Sequence, residues 1–320
     1  MKQCILKTIA AIFAALLLLT GCGNAEESDT RSEDVVSKGV YSSSSQQESG
    51  DGSETDVVSE GAAAGDVPGS QLPGDETDAS SEAPLTLSIT IPEGYTLARI
   101  GMLLEEKDIC TADEFIAASE NGDFSDFSLI AAQESGANRC FDLEGYLFPD
   151  TYEIYLSDPP DTIIRRMLQH TEQKFNDSLR GRISDSGYTV DEIITLASII
   201  EKEAFGHESM PYISSVLHNR LDSGMRLQCD VTINYVEGAI KPFITGDINR
   251  YNSDYNTYKC DALPAGAICN PSLDAINAAL SPEDTNYFYF VTDADGRYYY
   301  AETWEEHLQN VEEAGIDVPE

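Results

Sequence analysis

The sequence predicts an α+β protein: a small strand–helix–helix module, then a larger domain of mixed helices and strands, with a disordered acidic tether before both. Three observations support this prediction. The first 84 residues contain a short apolar run followed by a long polar stretch. Apolar residues alternate near residues 85–91 and again at 287–301, which is the period of strands. Between these segments apolar residues recur at the spacing of helices.

Residues 1–21 have the pattern of a lipoprotein signal peptide. Lys2 and Lys7 precede an apolar run of about 11 residues, which is too short for a membrane span because that takes roughly 20. The run ends in Leu-Thr-Gly-Cys, which resembles the bacterial lipoprotein box and marks Cys22 for lipidation. An ordinary secretory signal is the alternative. We therefore expect an extracellular protein, lipid-anchored at the outer face of the cytoplasmic membrane.

Residues 22–84 are predicted to form a disordered acidic linker. The stretch is rich in Ser, Gly, Asp and Glu, and from Gly23 to Pro84 it carries 15 acidic residues against two basic ones. So little apolar surface cannot offset the entropy that ordering would cost. A flexible tether of this kind would hold the folded part away from the membrane.

The charge and the cysteines exclude several functions. The net charge is −38, and from Leu85 onward there are 42 acidic residues against 15 basic ones, so nucleic acid is not expected as a partner. No C-x-x-C pair occurs and there are four histidines, so neither a metal nor a cofactor is expected. Cys260 and Cys269 bracket a Pro-Ala-Gly turn that a disulfide could close.

The small module is assigned to residues 85–140. Alternation over 85–91 predicts its strand, which the Pro-Glu-Gly sequence that follows should end. Thr96 can cap a first helix. Thr111 and Glu114 have the spacing of a capping box and predict the start of a second helix.

The larger domain is assigned to residues 141–320. Its periodicity predicts three helices and one hairpin, at 161–179, 190–203, 208–221 and 287–301. Thr303 should start a last helix. The helix at 190–203 is apolar on most of its sides, so it should be buried.

Glu201 is the strongest candidate for chemistry. It ends this apolar helix, and a carboxyl group is rarely placed there without a partner or a function. A protonated carboxyl in a cleft is what a general acid needs to be when it cleaves a glycosidic bond. The alternative is that Glu201 is paired with Lys202 or an arginine. The residues alone leave both interpretations open.

Five segments are similar, in matching order, to the signature blocks of the endolytic murein transglycosylase family. These blocks are residues 143–152, 197–203, 219–221 with 225–228, 255–258 and 263–268. Weaker similarity covers most of the rest from Leu85 onward. The resemblance implies a bacterial lytic transglycosylase with a LysM-like module before its catalytic domain.

The resemblance also implies a reaction and its partners. Such enzymes cleave peptidoglycan between N-acetylmuramic acid (MurNAc) and N-acetylglucosamine (GlcNAc), and they leave 1,6-anhydroMurNAc ends. The family's catalytic glutamate falls on Glu201, which would act first as acid and then as base. One carboxyl is then sufficient, whereas hydrolytic glycosidases usually need two. The implied partners are peptidoglycan glycan strands and the peptidoglycan synthesis machinery.

By the same matching, six polar residues are candidates to line the glycan cleft: Asn219, Gln228, Asp230, Tyr255, Asn256 and Tyr258. Amide and phenol groups suit this role because they can hydrogen-bond sugar hydroxyls. Glu203 and Glu144 are expected to be supporting residues. Structural roles remain open, since Asn256 could form a turn and Asn219 could cap a loop. Two other functions also stay open: a non-catalytic peptidoglycan-binding lipoprotein and a hydrolytic muramidase.

Overall fold

A computed structural model describes residues 85–133, 138–247 and 249–316. The predictions for residues 1–21 and 22–84, including lipidation of Cys22, lie outside these ranges. The described part combines helices with two antiparallel strand pairs, which confirms the predicted α+β class. Within it, no helix combines the length and the apolar composition that a membrane crossing requires.

The first elements are two strands with three helices between them. In chain order they are β1 (Thr86–Thr90), α1 (Leu97–Glu106), α2 (Ala112–Asn121), the short α3 (Ser128–Ala131) and β2 (Thr151–Tyr155). The predicted cap of α1 at Thr96 is confirmed, and so is the capping box of α2. Strand β2 is antiparallel to β1, with Ile89 opposite Tyr152. This sheet therefore joins residues on both sides of the boundary assigned at residue 140.

Four longer helices follow: α4 (Pro160–Lys174), α5 (Asp177–Ser186), α6 (Val190–Glu203) and α7 (Met210–Asp222). The single helix predicted over 161–179 is wrong, because the chain forms α4 and α5 there. Asn176 has an extended backbone between them, and its side chain accepts a hydrogen bond from the Leu179 amide at 3.1 Å. Asparagine favours such capping over a position inside a helix, and this ends the continuous helix.

Helix α6 has the predicted bounds and forms the centre of the domain. A capping box at Thr189 and Glu192 starts it, and every residue from 193 to 200 is buried. It packs against α7 and against a later helix, α10 (Leu273–Leu280). Because its whole middle is enclosed, its two ends are the places where its polar side chains reach the surface.

The remaining elements have at most ten residues each. They are α8 (Asp230–Tyr235), a π-helical turn (Val236–Ile240), α9 (Arg250–Tyr255), α10 (Leu273–Leu280), β3 (Tyr289–Thr292), β4 (Tyr298–Ala301) and α11 (Trp304–Glu313). The predicted hairpin is confirmed as β3 and β4, with Phe290 opposite Tyr300. Helix α11 begins with a capping box at Thr303, as predicted.

The cysteines of the described part are free thiols. Cys269 is buried and donates through Sγ to the Ser198 carbonyl of α6. Cys260 points instead toward the Ser253 carbonyl. The disulfide that the intervening turn would have allowed is therefore not formed.

Candidate active site at the end of helix α6

Glu201 lies in the last turn of α6 and is partly buried. Its Oε2 atom accepts hydrogen bonds from the Ser272 amide at 3.0 Å and from the Ser272 hydroxyl at 2.6 Å. The same hydroxyl accepts a hydrogen bond from the Ala275 amide, which makes Ser272 the N-cap of α10. Two contacts to one carboxylate oxygen fix its position against the start of α10. Sequence analysis did not single out Ser272.

The loop between β1 and α1 lies against this end of α6. Gly94 has φ of +71°, and a Cβ atom there would lie 3.5 Å from Cγ of Glu201. Its amide donates to the Asn270 carbonyl at 3.0 Å, which ties the loop to the segment before α10. The first module therefore contributes directly to the surroundings of Glu201.

The same loop brings a second carboxyl group toward Glu201. Burial raises the pKa of Glu93, and the negative charge of Glu201 raises it further. The charge of His207 lowers the pKa of Glu93, whereas that of Asp274 raises it. His207 and Asp274 pair with each other at 2.8 Å. The local sequence marks Glu93 only as the end of a strand, so sequence analysis missed it.

Glu144 lies in the interior and holds elements together. It is 2% exposed, and its carboxylate accepts hydrogen bonds from the Leu97 amide at 2.9 Å and from the Tyr235 hydroxyl at 3.1 Å. The buried Asn270 also donates to it, at 3.3 Å. Burial raises the pKa of Glu144 to about 8. This geometry places Glu144 at the junction of α1 and α8, away from the solvent.

Glu203 and Asp230 form a second group of acids, beside α8. Burial raises the pKa of Glu203 to about 7, the charge of Asp230 adds to this, and Cys229 and Arg220 oppose it. The Tyr258 hydroxyl donates to Asp230 at 2.7 Å. Three residues predicted from the sequence are thus brought together here.

Gln228 and Asn256 lie on the two segments that meet at this group. The Gln228 amide donates to the Thr257 carbonyl at 3.1 Å, and the Cys229 amide donates to the Thr257 hydroxyl at 2.8 Å. Gln228 has φ of +50°, which is an uncommon backbone for a residue with a side chain and recurs at functional sites. The Asn256 side chain accepts from the Tyr258 amide at 3.0 Å, so it also forms a turn.

Asn219 and Tyr255 are engaged in packing. The Asn219 amide group donates to the Thr285 and Tyr287 carbonyls, both at 2.9 Å, and so fastens the segment before β3. Tyr255 is fully buried, and its ring lies 5.2 Å from that of Tyr235. The structure therefore brings four of the six predicted cleft residues onto two adjoining segments and uses these two to hold other parts of the fold together.

A cavity of about 400 Å³ lies at the other end of α6. Arg139, Asp191 and Leu263 are among its lining residues. Asp191 precedes Glu201 by ten residues, which is about 15 Å along a helix. A polymer, however, needs an open surface. The exposed end of α6 fits a long strand better.

Comparisons with known proteins identify the family to which this chain is similar. The model of the YceG-like family matches residues 74–313. An endolytic murein transglycosylase of Streptococcus pneumoniae serotype 2 (strain D39 / NCTC 7466) is 34% identical over 252 residues, 72% of this chain and 45% of that protein. An endolytic murein transglycosylase of Bacillus subtilis (strain 168) is 31% identical over 229 residues, 68% of this chain and 62% of that protein.

A solved structure supports the fold as well. The crystal structure of a putative YceG-like protein from Listeria monocytogenes superposes with a TM-score of 0.60 at 32% identity, over 69% of this chain and 75% of that one. This chain spans about half the length of the S. pneumoniae relative and less than two thirds of the B. subtilis one. The family match covers most of the sequence, so this chain belongs to the YceG-like family.

Proposed function

We propose that this protein is an endolytic lytic transglycosylase that cleaves peptidoglycan glycan strands, with Glu201 as its general acid and base. The observation that carries the proposal is a partly buried carboxyl at an exposed helix end, with one oxygen fixed by Ser272. Such a group is held in place for proton transfer and remains open to a polymer. The names of the two curated relatives point to the same chemistry.

The proposed reaction uses a single carboxyl group twice, first as a proton donor and then as a proton acceptor. Protonated Glu201 donates to the glycosidic oxygen between MurNAc and GlcNAc, and the bond from that oxygen to C1 breaks. The Glu201 carboxylate then accepts the proton of the MurNAc 6-hydroxyl while O6 bonds to C1. The products are a free GlcNAc 4-hydroxyl and a 1,6-anhydroMurNAc end, and no water is consumed.

Four polar residues are proposed to bind the strand on the other side of the α6 terminus: Gln228, Asp230, Asn256 and Tyr258. They lie on two segments that meet beside Glu203. The β1–α1–α2–β2 arrangement is proposed to be the LysM-like module expected from the sequence, and it would contribute to glycan binding. A lipid anchor at Cys22 would keep the enzyme at the outer face of the cytoplasmic membrane, near the peptidoglycan synthesis machinery.

A hydrolytic muramidase is the second candidate, and Glu93 is the observation that favours it. Hydrolysis of a glycosidic bond usually needs two carboxyl groups on either side of the bond. Glu93 is close enough to Glu201 for their charges to interact. Mass spectrometry of digested peptidoglycan separates the two functions, because a hydrolytic product is heavier than the anhydro product by one water.

The proposal is tested with purified protein and isolated peptidoglycan. The wild-type chain should release anhydromuropeptides, and Glu201→Gln should release none while it still sediments with peptidoglycan. If the variant retains wild-type activity, Glu201 is not the acid. Reducing-end products from the wild type would establish the muramidase.

A further inference from the structure

We infer that Phe205 and Tyr212 form a sugar-binding surface that holds the glycan strand beside Glu201. The choice of a glycan as ligand rests on the proposed function. Four observations support the inference: the exposure of Phe205, the way its ring is fixed, its connection to Tyr212, and its position relative to Glu201.

Phe205 exposes far more surface than a large aromatic side chain normally does. Phe205 is 69% exposed. The other exposed aromatic residues of the described part, Tyr155 and Tyr212, have exposed fractions of 39% and 38%. Phe205 follows Glu201 by four residues, just after α6 ends. Exposed apolar surface of this kind beside polar groups is typical of a binding site.

The Phe205 ring is held in place although it is exposed. The backbone amide of Phe205 donates to the Tyr298 hydroxyl at 2.7 Å, and that hydroxyl donates to the Glu203 carbonyl at 2.6 Å. The ring lies on Gly296, where an added Cβ would come within 2.7 Å of it. Gly296 also has φ of +82°. Glycine fits this position both because it has no Cβ to meet the ring and because it adopts a positive φ readily. A ring fixed before binding loses little entropy when a ligand covers it.

Contacts through Tyr298 and Tyr300 connect Phe205 to Tyr212. Tyr298, which holds the Phe205 backbone, stacks on Tyr300 with centroids 5.8 Å apart and planes 13° apart. The Tyr300 ring lies 5.5 Å from that of Tyr212. Aromatic rings bind the apolar faces of sugars, while neighbouring polar groups bind the hydroxyls. A row of this kind can follow successive sugars along a strand.

The charges around this surface favour a glycan over an anionic lipid. Glu208 and Asp274 lie near it, and the folded part of the chain is strongly acidic. The loop that carries Phe205 also pairs with the first turn of α10 through His207 and Asp274. Ser272, the partner of Glu201, is the N-cap residue just before that turn. The surface is thus continuous with the proposed active site.

Replacing the ring tests the inference. Phe205→Ala should lower kcat/KM on glycan strands about tenfold, mainly through a higher KM, because it removes contacts made before the reaction as well as during it. Phe205→Trp should retain activity within about twofold. Leu308→Ala is the matched control, since Leu308 is 41% exposed on α11 and takes no part in the site. Equal activity of Phe205→Ala and wild type would overturn the inference.

A binding measurement separates this inference from the proposed function. Glu201→Gln protein and the double variant Glu201→Gln, Phe205→Ala are each sedimented with insoluble peptidoglycan. The double variant should bind about tenfold more weakly, with an unchanged melting temperature. If the wild type cuts nothing but this difference persists, the surface stands and the enzyme proposal fails. If the two proteins bind equally, the sugar-binding surface is wrong.

Discussion

At the scale of single residues, the site depends on contacts between distant parts of the chain. Ser272 lies 71 residues after Glu201, yet both its amide and its hydroxyl bind one carboxylate oxygen. Glu93 reaches the same place from the loop before α1. The local sequence around either residue carries no signal for this meeting. Glu201 itself was identifiable, because it ends a long apolar run.

Ser272 is expected to affect activity through Glu201. Ser272→Ala should lower kcat by tenfold or more, since it leaves the Glu201 carboxyl without its 2.6 Å partner. It should also cost about 1 kcal/mol of stability through the lost cap of α10.

Asn176→Ala is the control for the Ser272 prediction. It removes the cap of α5, far from Glu201, and should cost a similar stability with no loss of activity. Melting curves and initial rates compare the two variants. Equal rates for Ser272→Ala and Asn176→Ala would show that Ser272 has only a structural role.

Glu203 is expected to make stability depend on pH. Its pKa rises from 4.5 to about 7 on folding, so its neutral form is favoured in the folded state. Its contribution is therefore complete below about pH 4.5 and is lost as the pH rises to 7. The free energy of unfolding of Glu203→Gln, relative to that of wild type, should therefore increase by on the order of 1 kcal/mol between pH 4.5 and 7. Above pH 7 the difference should stay constant. A gain that is independent of pH between 4.5 and 7 would contradict the assignment.

At the scale of elements, capping signals predicted where helices start, whereas hydrophobic periodicity predicted the lengths of helices and strands less accurately. The capping boxes at Thr111 and Thr303 mark helix starts where expected, and α6 has the predicted bounds. Strand β2 was missed, because its alternation is short and its partner lies some 60 residues earlier. The short helices α8, α9 and α10 are too brief to show a helical period, so tertiary packing determines them.

Substitutions at two glycines, one in a crowded place and one in open space, test how closely these elements pack. Gly145 has φ of +89°, and a Cβ there would lie 2.6 Å from both Ala267 and Ile194. Gly145→Ala should therefore cost about 3 kcal/mol through strain and overpacking. Gly181 lies in α5 with open space around it, so Gly181→Ala should stabilise by about 0.5–1 kcal/mol. Chemical denaturation measures both, and equal effects of the two changes would contradict the packing described.

At the scale of the whole molecule, the first module and the larger domain share the site. The β1–α1 loop lies against Glu201, and Glu144 of the larger domain binds the start of α1. A division into separate units was natural from the sequence, because its periodic segments form two groups. The contacts that join these groups involve backbone amides and single polar side chains, which leave no periodic pattern.

The proposed anchor predicts where the protein is found in cells. Cys22→Ala should prevent lipidation and move the protein from the membrane fraction to the soluble extracellular fraction. Immunoblots of the two fractions measure the shift. An unchanged distribution would contradict a lipid anchor at Cys22. Activity of the purified variant on isolated peptidoglycan should stay at the wild-type level, because Cys22 is not among the residues of the proposed active site.

The most direct test of the central claim is the product of a peptidoglycan digest, identified by mass spectrometry. We expect 1,6-anhydroMurNAc ends from the wild-type protein and none from Glu201→Gln. Intact strands after incubation with the folded wild-type protein, or anhydro ends released at the wild-type rate by Glu201→Gln, would contradict it.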